Sequence, residues 1–273
     1  MLLLASNERL LQDAIQFLEK KVDLKDLGEP KCIIGIEVHR NVSDKTISIS
    51  QEKYIKEVHK YQMENCKAVR SPMELKQKSG ETDDLQEKPD VPYRSLIGSL
   101  MYLVQGTRPD IAYGVNYLSQ FNSCFTGHHW KMANRILRYL QGTKGARLTY
   151  RAGPTQFFGY SDASWNPDMT NGTSQSGYVF LLCGAAVSWK SVMQDVIALS
   201  TCEAEYVALC EAMREGRWIR MFLEELGQRR ICEEATEIRC DNQSTIKISE
   251  NPIQHRRSKH IGLKYLFARN EVA

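Results

Sequence analysis

The sequence predicts an α/β protein whose C-terminal part is built on a mixed sheet. Three observations predict it: strand-like segments between Leu148 and Trp189, a long helical period from about Thr201 to Leu226, and a further strand at Thr236–Cys240 followed by helices. That order suits an α/β domain, because each sheet or helix must bury its apolar face against another layer. The chain has 273 residues, 42% hydrophobic and 25% charged. This length can bury a core without disulfides, and it argues for about two domains. The apolar content and balanced charge exclude a disordered tail.

Composition excludes other classes. The longest nearly apolar stretch, Val179 to Val187, is far short of the ~20 residues that span a bilayer. Met1-Leu-Leu-Leu-Ala5 is too short for a signal-peptide core and has no basic segment before it. No membrane partner is expected. The net charge of +3, from 36 Lys and Arg against 33 Asp and Glu, identifies no partner by itself. Eight cysteines never come closer than eight residues apart, so neither a zinc knuckle nor a thioredoxin-like site is supported. Scattered single cysteines read as small, mostly buried residues of an intracellular, reducing compartment.

The N-terminal elements follow from local pattern. Leu2–Ala5 reads as a short strand, Glu8–Lys21 as an amphipathic helix, and Gly28-Glu-Pro30 closes a loop. Cys32–Val38 and Thr46–Ser50 are β-rich and joined by the turn formers Asn41-Val-Ser-Asp44, which predicts a hairpin. A helix is expected at about Gln51–Gln62. Residues 76–92 are polar and nearly free of large apolar groups, the composition of a linker. Beyond it Ile97, Leu100, Met101 and Val104 step by helical spacings. Thr107-Arg-Pro-Asp110 starts a second helix with Pro109 in its first turn, and Trp130, Ala133, Ile136, Leu137 and Leu140 mark a third that stops at Gly142.

From residue 147 the rhythm becomes that of strands, at Leu148–Tyr150, Phe157–Ser161, Gly177–Cys183 and Ala186–Trp189. The long helix at Thr201–Leu226, the strand at Thr236–Cys240, a short helix after Asp241 and a last helix at Ser258–Arg269 complete the reading. Trp165 and Trp189, at or just past strand ends, read as core aromatics.

Carboxylates sit where these elements end. Asp162 follows the strand at Phe157–Ser161, Asp241 follows Ile238-Arg-Cys240, and Glu203 and Glu205 begin the long helix. Acids gathered at one sheet edge are a common way to hold Mg²⁺, which demands oxygen ligands. Helix physics separates the two glutamates. Ser200-Thr-Cys-Glu203 fits a capping box, with Ser200 as N-cap and Glu203 reaching back to its amide. Glu205 shares a stripe with Leu209, Ala212, Ile219 and Leu223, the face that packs on the sheet. Glu203 is turned about 200° away, toward Arg214 and Arg217. Each aspartate taken singly also reads as a helix cap, and Asp241 before Asn242 fits that role. Both readings stand at this point.

Motifs that follow one another along the chain add a resemblance. They are Tyr160-Ser-Asp-Ala-Ser-Trp165, Ser174-Gln-Ser-Gly-Tyr178, Val187-Ser-Trp-Lys190, Leu199-Ser-Thr-Cys-Glu-Ala-Glu-Tyr206, Cys240-Asp-Asn-Gln-Ser244 and Arg257-Ser-Lys-His-Ile261. Together they resemble the ribonuclease H domain of Copia-type retrotransposon polyproteins. Upstream, Tyr93-Arg-Ser-Leu-Ile-Gly-Ser-Leu-Met-Tyr102 and Thr107-Arg-Pro-Asp-Ile-Ala112 look like the segment joining reverse transcriptase to that domain. Phe17 to Met73 looks like the end of the polymerase palm and its thumb.

The resemblance implies a ribonuclease H-like mixed sheet, preceded by an α+β remnant of palm and thumb and a helical connection. The implied division is 1–75 for palm and thumb, 76–92 for a linker, 93–150 for the connection and 151–273 for the ribonuclease H-like domain. It further implies an endonuclease acting on the RNA strand of RNA/DNA hybrids. Two Mg²⁺ ions, with Mn²⁺ as a substitute, would be held by Asp162, Glu205 and Asp241. Asn242, Gln243 and Ser244 would read the hybrid groove, with Ser174 or Gln175 as weaker candidates. Arg256, Arg257, Lys259 and His260 would hold phosphates.

Two departures from the family pattern are noted. The Tyr-x-Asp-Asp motif of polymerases is not in these 273 residues, so no DNA synthesis is expected of them. Gly262 stands where relatives usually carry an acid, and the family's last strand and the segment with a fourth carboxylate are not in these residues. The resemblance thus implies a fragment cut at both ends, whose ribonuclease H-like domain is truncated and whose sheet is incomplete at its C-terminus. A second implied reading is therefore a non-catalytic remnant that keeps the fold and binds nucleic acid.

Overall fold

The computed structural model describes residues 2–58, 66–74, 88–153, 155–165, 172–250, 267–268 and 270–271. The first helix, α1 (Glu8–Glu19), is capped by Asn7, whose Oδ1 accepts the Leu10 amide at 3.0 Å. None of its residues is buried. The strand expected at Leu2–Ala5 is absent, since those residues have no paired strand beside them.

The expected hairpin forms, with one addition. The run at Cys32–Val38 breaks into β1 (Cys32–Ile33) and β2 (Ile36–Asn41), which pair antiparallel through the two-residue turn Ile34-Gly35. Both turn residues have positive φ, 50° and 73°, the backbone that matches strand twist in a tight hairpin. Gly35 supplies that conformation without a side-chain penalty, and a Cβ there would strike the Tyr102 hydroxyl. Next come β3 (Thr46–Ser50) and α2 (Glu52–Val58). The rest of the helix expected to Gln62, and residues 76–87 of the expected linker, lie outside the described residues.

Three helical segments carry the larger core. They are α3 (Tyr93–Gly106), α4 (Ala112–Ser119), entered through a 3-10 turn at Pro109–Ile111, and α5 (Gly127–Gly142). Leu96, Leu100, Leu103, Leu118, Ile136, Leu137 and Leu140 are fully buried, and Ile55 and Val58 of α2 join the same cluster. Each such side chain contributes roughly 1.5–3 kcal/mol by leaving water.

The strand expected at Leu148–Tyr150 forms as β4 (Leu148–Arg151), but it joins the first sheet. It pairs antiparallel with β3, Ile47 opposite Tyr150, giving the order β1-β2-β3-β4. Ser48 Oγ and Thr149 Oγ1 meet at 2.9 Å across that pair. This sheet therefore takes strands from both sides of the polar segment at 76–92.

The second sheet is mixed, as expected. Its strands are β5 (Phe157–Ser164), β6 (Gln175–Leu182), β7 (Ala185–Met193) and β8 (Glu237–Arg239), in the order β7-β6-β5-β8. Antiparallel pairs join β7, β6 and β5, whereas β5 and β8 run parallel. The parallel pair needs a crossover, and α6 (Thr201–Glu225) supplies it, packing across β5 and β6. Phe180 is fully buried between Gly159 of β5 and Gly216 of α6, where an added Cβ would stand 2.6 Å and 3.0 Å from its ring atoms. These two glycines let the helix approach the sheet closely. A last helix, α7 (Gln243–Glu250), follows β8. Phe267 and Ala268 are helical and Ala268 is buried beside Tyr206 and Val207 of α6; most of the helix expected at Ser258–Arg269 lies outside the described residues.

The cysteines are not mostly buried: Cys210 and Cys232 are, whereas the other six are exposed or half-buried. The two tryptophans part company. Trp189 packs against the helical core, with Nε1 donating to the Val104 carbonyl at 2.8 Å. Trp165 is 47% exposed and is not a core residue. Its Nε1 donates to the Ala198 carbonyl at 3.1 Å, which holds the ring against the loop before α6.

Candidate metal centre

The parallel pair of β5 and β8 positions the site. The last residues these two strands pair are Tyr160 and Arg239. Asp162 does not follow the strand as expected but lies inside β5, opposite Gly177 of β6, because the strand runs on to Ser164. Asp241 stands two residues beyond the end of β8, and the parallel register brings these two acids, distant in sequence, side by side.

The start of α6 supplies the third acid. Ser200 caps the helix, its Oγ accepting the Glu203 amide at 3.3 Å. The Glu203 carboxylate turns back as expected, but it accepts the Leu199 amide at 2.7 Å rather than that of Ser200. Arg214 and Arg217 pair with Glu211 and Glu271, not with Glu203. The stripe expected for Glu205 forms: Leu209, Ala212, Ile219 and Leu223 are all buried, and Glu205 itself is only 7% exposed.

A buried carboxylate is costly unless something answers it. The neighbours of Glu205 act in opposite senses: the Ala163 amide favours the charged form and the Asp162 carboxylate disfavours it. Glu205 Oε2, however, is buried with no hydrogen-bond partner among the described residues. Burial first, then the Asp162 and Asp241 charges, push its pKa from the usual 4.5 up to about 7, against the pull of the Ala163 amide.

Asp241 is available because another residue caps α7. Asn242 Oδ1 accepts the Thr245 amide at 3.0 Å and its carbonyl accepts the Ile246 amide at 3.1 Å. Asp241 is exposed, and one of its oxygens lies within 4.8 Å of a Glu205 oxygen and of Cys240 Sγ. The thiol of Cys240 is a member of the cluster that the sequence did not single out. Its signal was its place between the end of a strand and an acid. Burial pushes that thiol up; the Asn242 amide opposes this and the Glu205 and Asp241 charges reinforce it.

The remaining expected residues divide. Gln243 and Ser244 are exposed at the start of α7, beside Asp241. Ser174 and Gln175 are buried, and Gln175 Nε2 is engaged by Ser191 Oγ at 2.8 Å and Asn116 Oδ1 at 3.3 Å. In this conformation neither presents its side chain to a groove. Arg256, Arg257, Lys259, His260 and Gly262 lie outside the described residues.

The donor set fits a hard divalent cation. Three carboxylates converge, two of them open to solvent, and the buried one carries an oxygen with no hydrogen-bond partner among the described residues, which a cation would satisfy. Fold and site thus define a mixed α/β protein with a candidate divalent-metal centre at the edge of its second sheet. The chain belongs to the family of retrovirus-related Pol polyproteins of Copia-type transposons. It is 38% identical over 280 residues to the Pol polyprotein from transposon TNT 1-94 of Nicotiana tabacum, an alignment covering 100% of this chain and 21% of that protein. It is 35% identical over 273 residues to that of transposon RE1 of Arabidopsis thaliana, covering 99% of this chain and 18% of the relative. A Ty5-1 transposon protein of Saccharomyces cerevisiae is 33% identical over 218 residues, covering 79% of this chain and 70% of its own. The chain spans about a fifth of the length of the plant relatives. No protein-family model and no solved structure matches it. Among the described residues no helix is long and apolar enough to cross a membrane.

Proposed function

We propose that this chain carries the ribonuclease H unit of a Copia-type retrotransposon, a Mg²⁺-dependent endonuclease cleaving the RNA strand of RNA/DNA hybrids. The observation that carries the proposal is the buried Glu205, its Oε2 without a hydrogen-bond partner among the described residues, beside the charges of Asp162 and Asp241. The mixed sheet, with three antiparallel strands and a fourth parallel to β5, supports this reading.

Asp162, Glu205 and Asp241 would hold the ions, and Mn²⁺ is the expected substitute. When bound, Mg²⁺ supplies Lewis-acid chemistry for an in-line displacement, activating water and stabilising the departing 3′-oxygen. The chain's own residues set the stage. Glu205 is locked by its burial on α6, so one ligand needs no reorganisation when a cation arrives. Asp162 and Asp241 stand in the open, where a phosphate can approach. Gln243 and Ser244 project beside them and would contact the 2′-hydroxyls of the shallow minor groove. Asn242 keeps its amide nitrogen for the same purpose while its Oδ1 holds the cap. Arg256, Arg257, Lys259 and His260 would pair with backbone phosphates, a role that rests on their charge. The 273 residues carry no Tyr-x-Asp-Asp motif, so the proposed activity is hydrolysis alone.

The experiment is cleavage of an end-labelled RNA strand annealed to DNA, with Mg²⁺ or with chelator. Asp162→Asn and Asp241→Asn serve as variants, and circular dichroism checks folding. Cleavage that needs Mg²⁺ and disappears in both folded variants is expected. A folded wild-type chain that binds the hybrid without cutting it would replace the proposal with the non-catalytic remnant.

A further inference from the structure

We infer that the same corner also takes a single thiophilic divalent ion of the zinc and cadmium class, held by the Glu205 carboxylate, the Cys240 sulfur and the Asp241 carboxylate, in competition with Mg²⁺. The binding stands on geometry. Its inhibitory consequence rests on the hydrolytic function proposed above.

One ligand atom from each of the three residues lies within 4.8 Å of the others. Consecutive side chains of a strand point to opposite faces, so Cys240 and Asp241 would diverge if β8 continued. It ends at Arg239, and the chain bends at Asp241 before α7 begins at Gln243. That bend lets neighbouring residues aim at one point. The buried Oε2 of Glu205, which has no hydrogen-bond partner among the described residues, is an independent sign that a cation belongs there.

Ligand chemistry selects the ion. Mg²⁺ is hard and takes oxygen ligands in near-ideal octahedral geometry, so it gains nothing from sulfur. Zinc-class ions prefer thiolate and accept tetrahedral sites with mixed sulfur and oxygen donors. Zinc bond lengths place tetrahedral ligand atoms about 3.5 Å apart. The present separations therefore need to shorten by roughly 1 Å, within the reach of a rotamer change at the exposed Asp241. Three protein ligands leave a fourth position open to solvent. An ion held this way uses two of the three carboxylates proposed for hydrolysis and would exclude the Mg²⁺ pair.

The test titrates the metal-free chain with Cd²⁺ and reads the ultraviolet thiolate-to-cadmium charge-transfer band. Seven other cysteines are present, so the quantity read is the difference between wild type and Cys240→Ser, with Cys240→Ala as a second variant and Cys202→Ser as control. Expected is a component that saturates at one equivalent, disappears in both Cys240 variants and persists in Cys202→Ser. Glu205→Gln should weaken it by more than about tenfold, a loss that even an outer-shell change can cause. A large excess of Mg²⁺ should displace it. A band of unchanged size and affinity in folded Cys240→Ser or Cys240→Ala, or one insensitive to Mg²⁺, would overturn the inference. Cleavage is a separate reading: Zn²⁺ added over Mg²⁺ should suppress it in wild type and less in Cys240→Ser. A chain that gives the Cys240-dependent band and cuts no hybrid would keep this inference and refute the proposed function.

Discussion

Asn242 Oδ1 accepts the backbone amide of Thr245 at 3.0 Å, and this hydrogen bond determines what Asp241 is available for. The amides in the first turn of α7 have no intrahelical acceptor, and that of the buried Thr245 needs one from a cap. Asp241 stands one residue earlier and fits the cap by type, but Asn242 takes the role and the carboxylate turns toward Glu205 and Cys240. Cap and proposed metal ligand, which compete for one residue when the sequence is read alone, fall to neighbouring residues.

Removing the cap should therefore be felt twice. Asn242→Ala is expected to cost about 1 kcal/mol of stability and to weaken Mn²⁺ binding as Asp241 is drawn to the helix end. Asn242→Asp keeps an acceptor and should restore the melting temperature. Melting curves and Mn²⁺ titrations that match wild type in Asn242→Ala would contradict this division of labour.

The two glutamates of α6 should separate cleanly. Glu205→Gln keeps size and removes a ligand charge, so hybrid cleavage should vanish in a folded chain. Glu203→Gln still offers an acceptor to the Leu199 amide, so it should cost no more than ~1 kcal/mol and leave cleavage in place. Reversed effects on cleavage would overturn the helical-face argument.

Glu205 also gives the metal-free chain a pH signature. Its pKa is raised from 4.5 to about 7 by burial and by the Asp162 and Asp241 charges, so the folded state holds the proton more tightly than the unfolded one. Stability from this group is complete below about 4.5 and is lost as pH rises through about 7, beyond which the slope ends. Glu37 and Asp110, whose pKa values are lowered, lose stability in the opposite direction at more acid pH. The difference in melting temperature between wild type and Glu205→Gln should therefore change between those two pH values in chelator. Saturating Mg²⁺ should flatten it. Parallel melting profiles for the two chains would contradict the assignment.

The close approach of α6 to β5 is testable at Gly159. A Cβ there would stand 2.6 Å from Phe180 Cε1, in a ring with no exposed surface. Gly159→Ala should destabilise the chain by about 1–3 kcal/mol through overpacking. Because the displaced ring leans on Gly216 of the helix that carries Glu205, cleavage should fall as well. A melting temperature equal to wild type would show that the ring has room to move.

Much of this arrangement was legible in local pattern. The period of Glu205 with Leu209, Ala212, Ile219 and Leu223 marked the sheet-facing stripe, and Ser200 with Glu203 marked the helix start. What pattern reading missed was non-local. Leu148–Arg151 reads as a strand, but its choice of β3 as partner depends on register and on contacts such as Ser48 with Thr149, which no window of sequence contains. Leu2–Ala5 has the composition of a strand and no partner to pair with. Trp165 follows a strand and stays half exposed because its indole is tied to the Ala198 carbonyl at the surface. Ser174 and Gln175 are polar residues that read as surface groups, yet both are buried, with the Gln175 amide satisfied inside the fold by Ser191 and Asn116. Cys240 joined the site only once the chain turned after β8.

Asp162, Glu205 and Asp241 are proposed as the centre for metal-dependent hydrolysis of RNA in hybrids. The most direct measurement is the end chemistry of the RNA fragments released by the purified chain in Mg²⁺, compared with Glu205→Gln prepared in the same way. In-line attack with departure of the 3′-oxygen leaves 3′-hydroxyl and 5′-phosphate ends. The account predicts those ends from the wild-type chain, only on RNA paired with DNA, and none from the variant. Cyclic phosphate ends, cutting of unpaired RNA, or equal cutting by Glu205→Gln would contradict it.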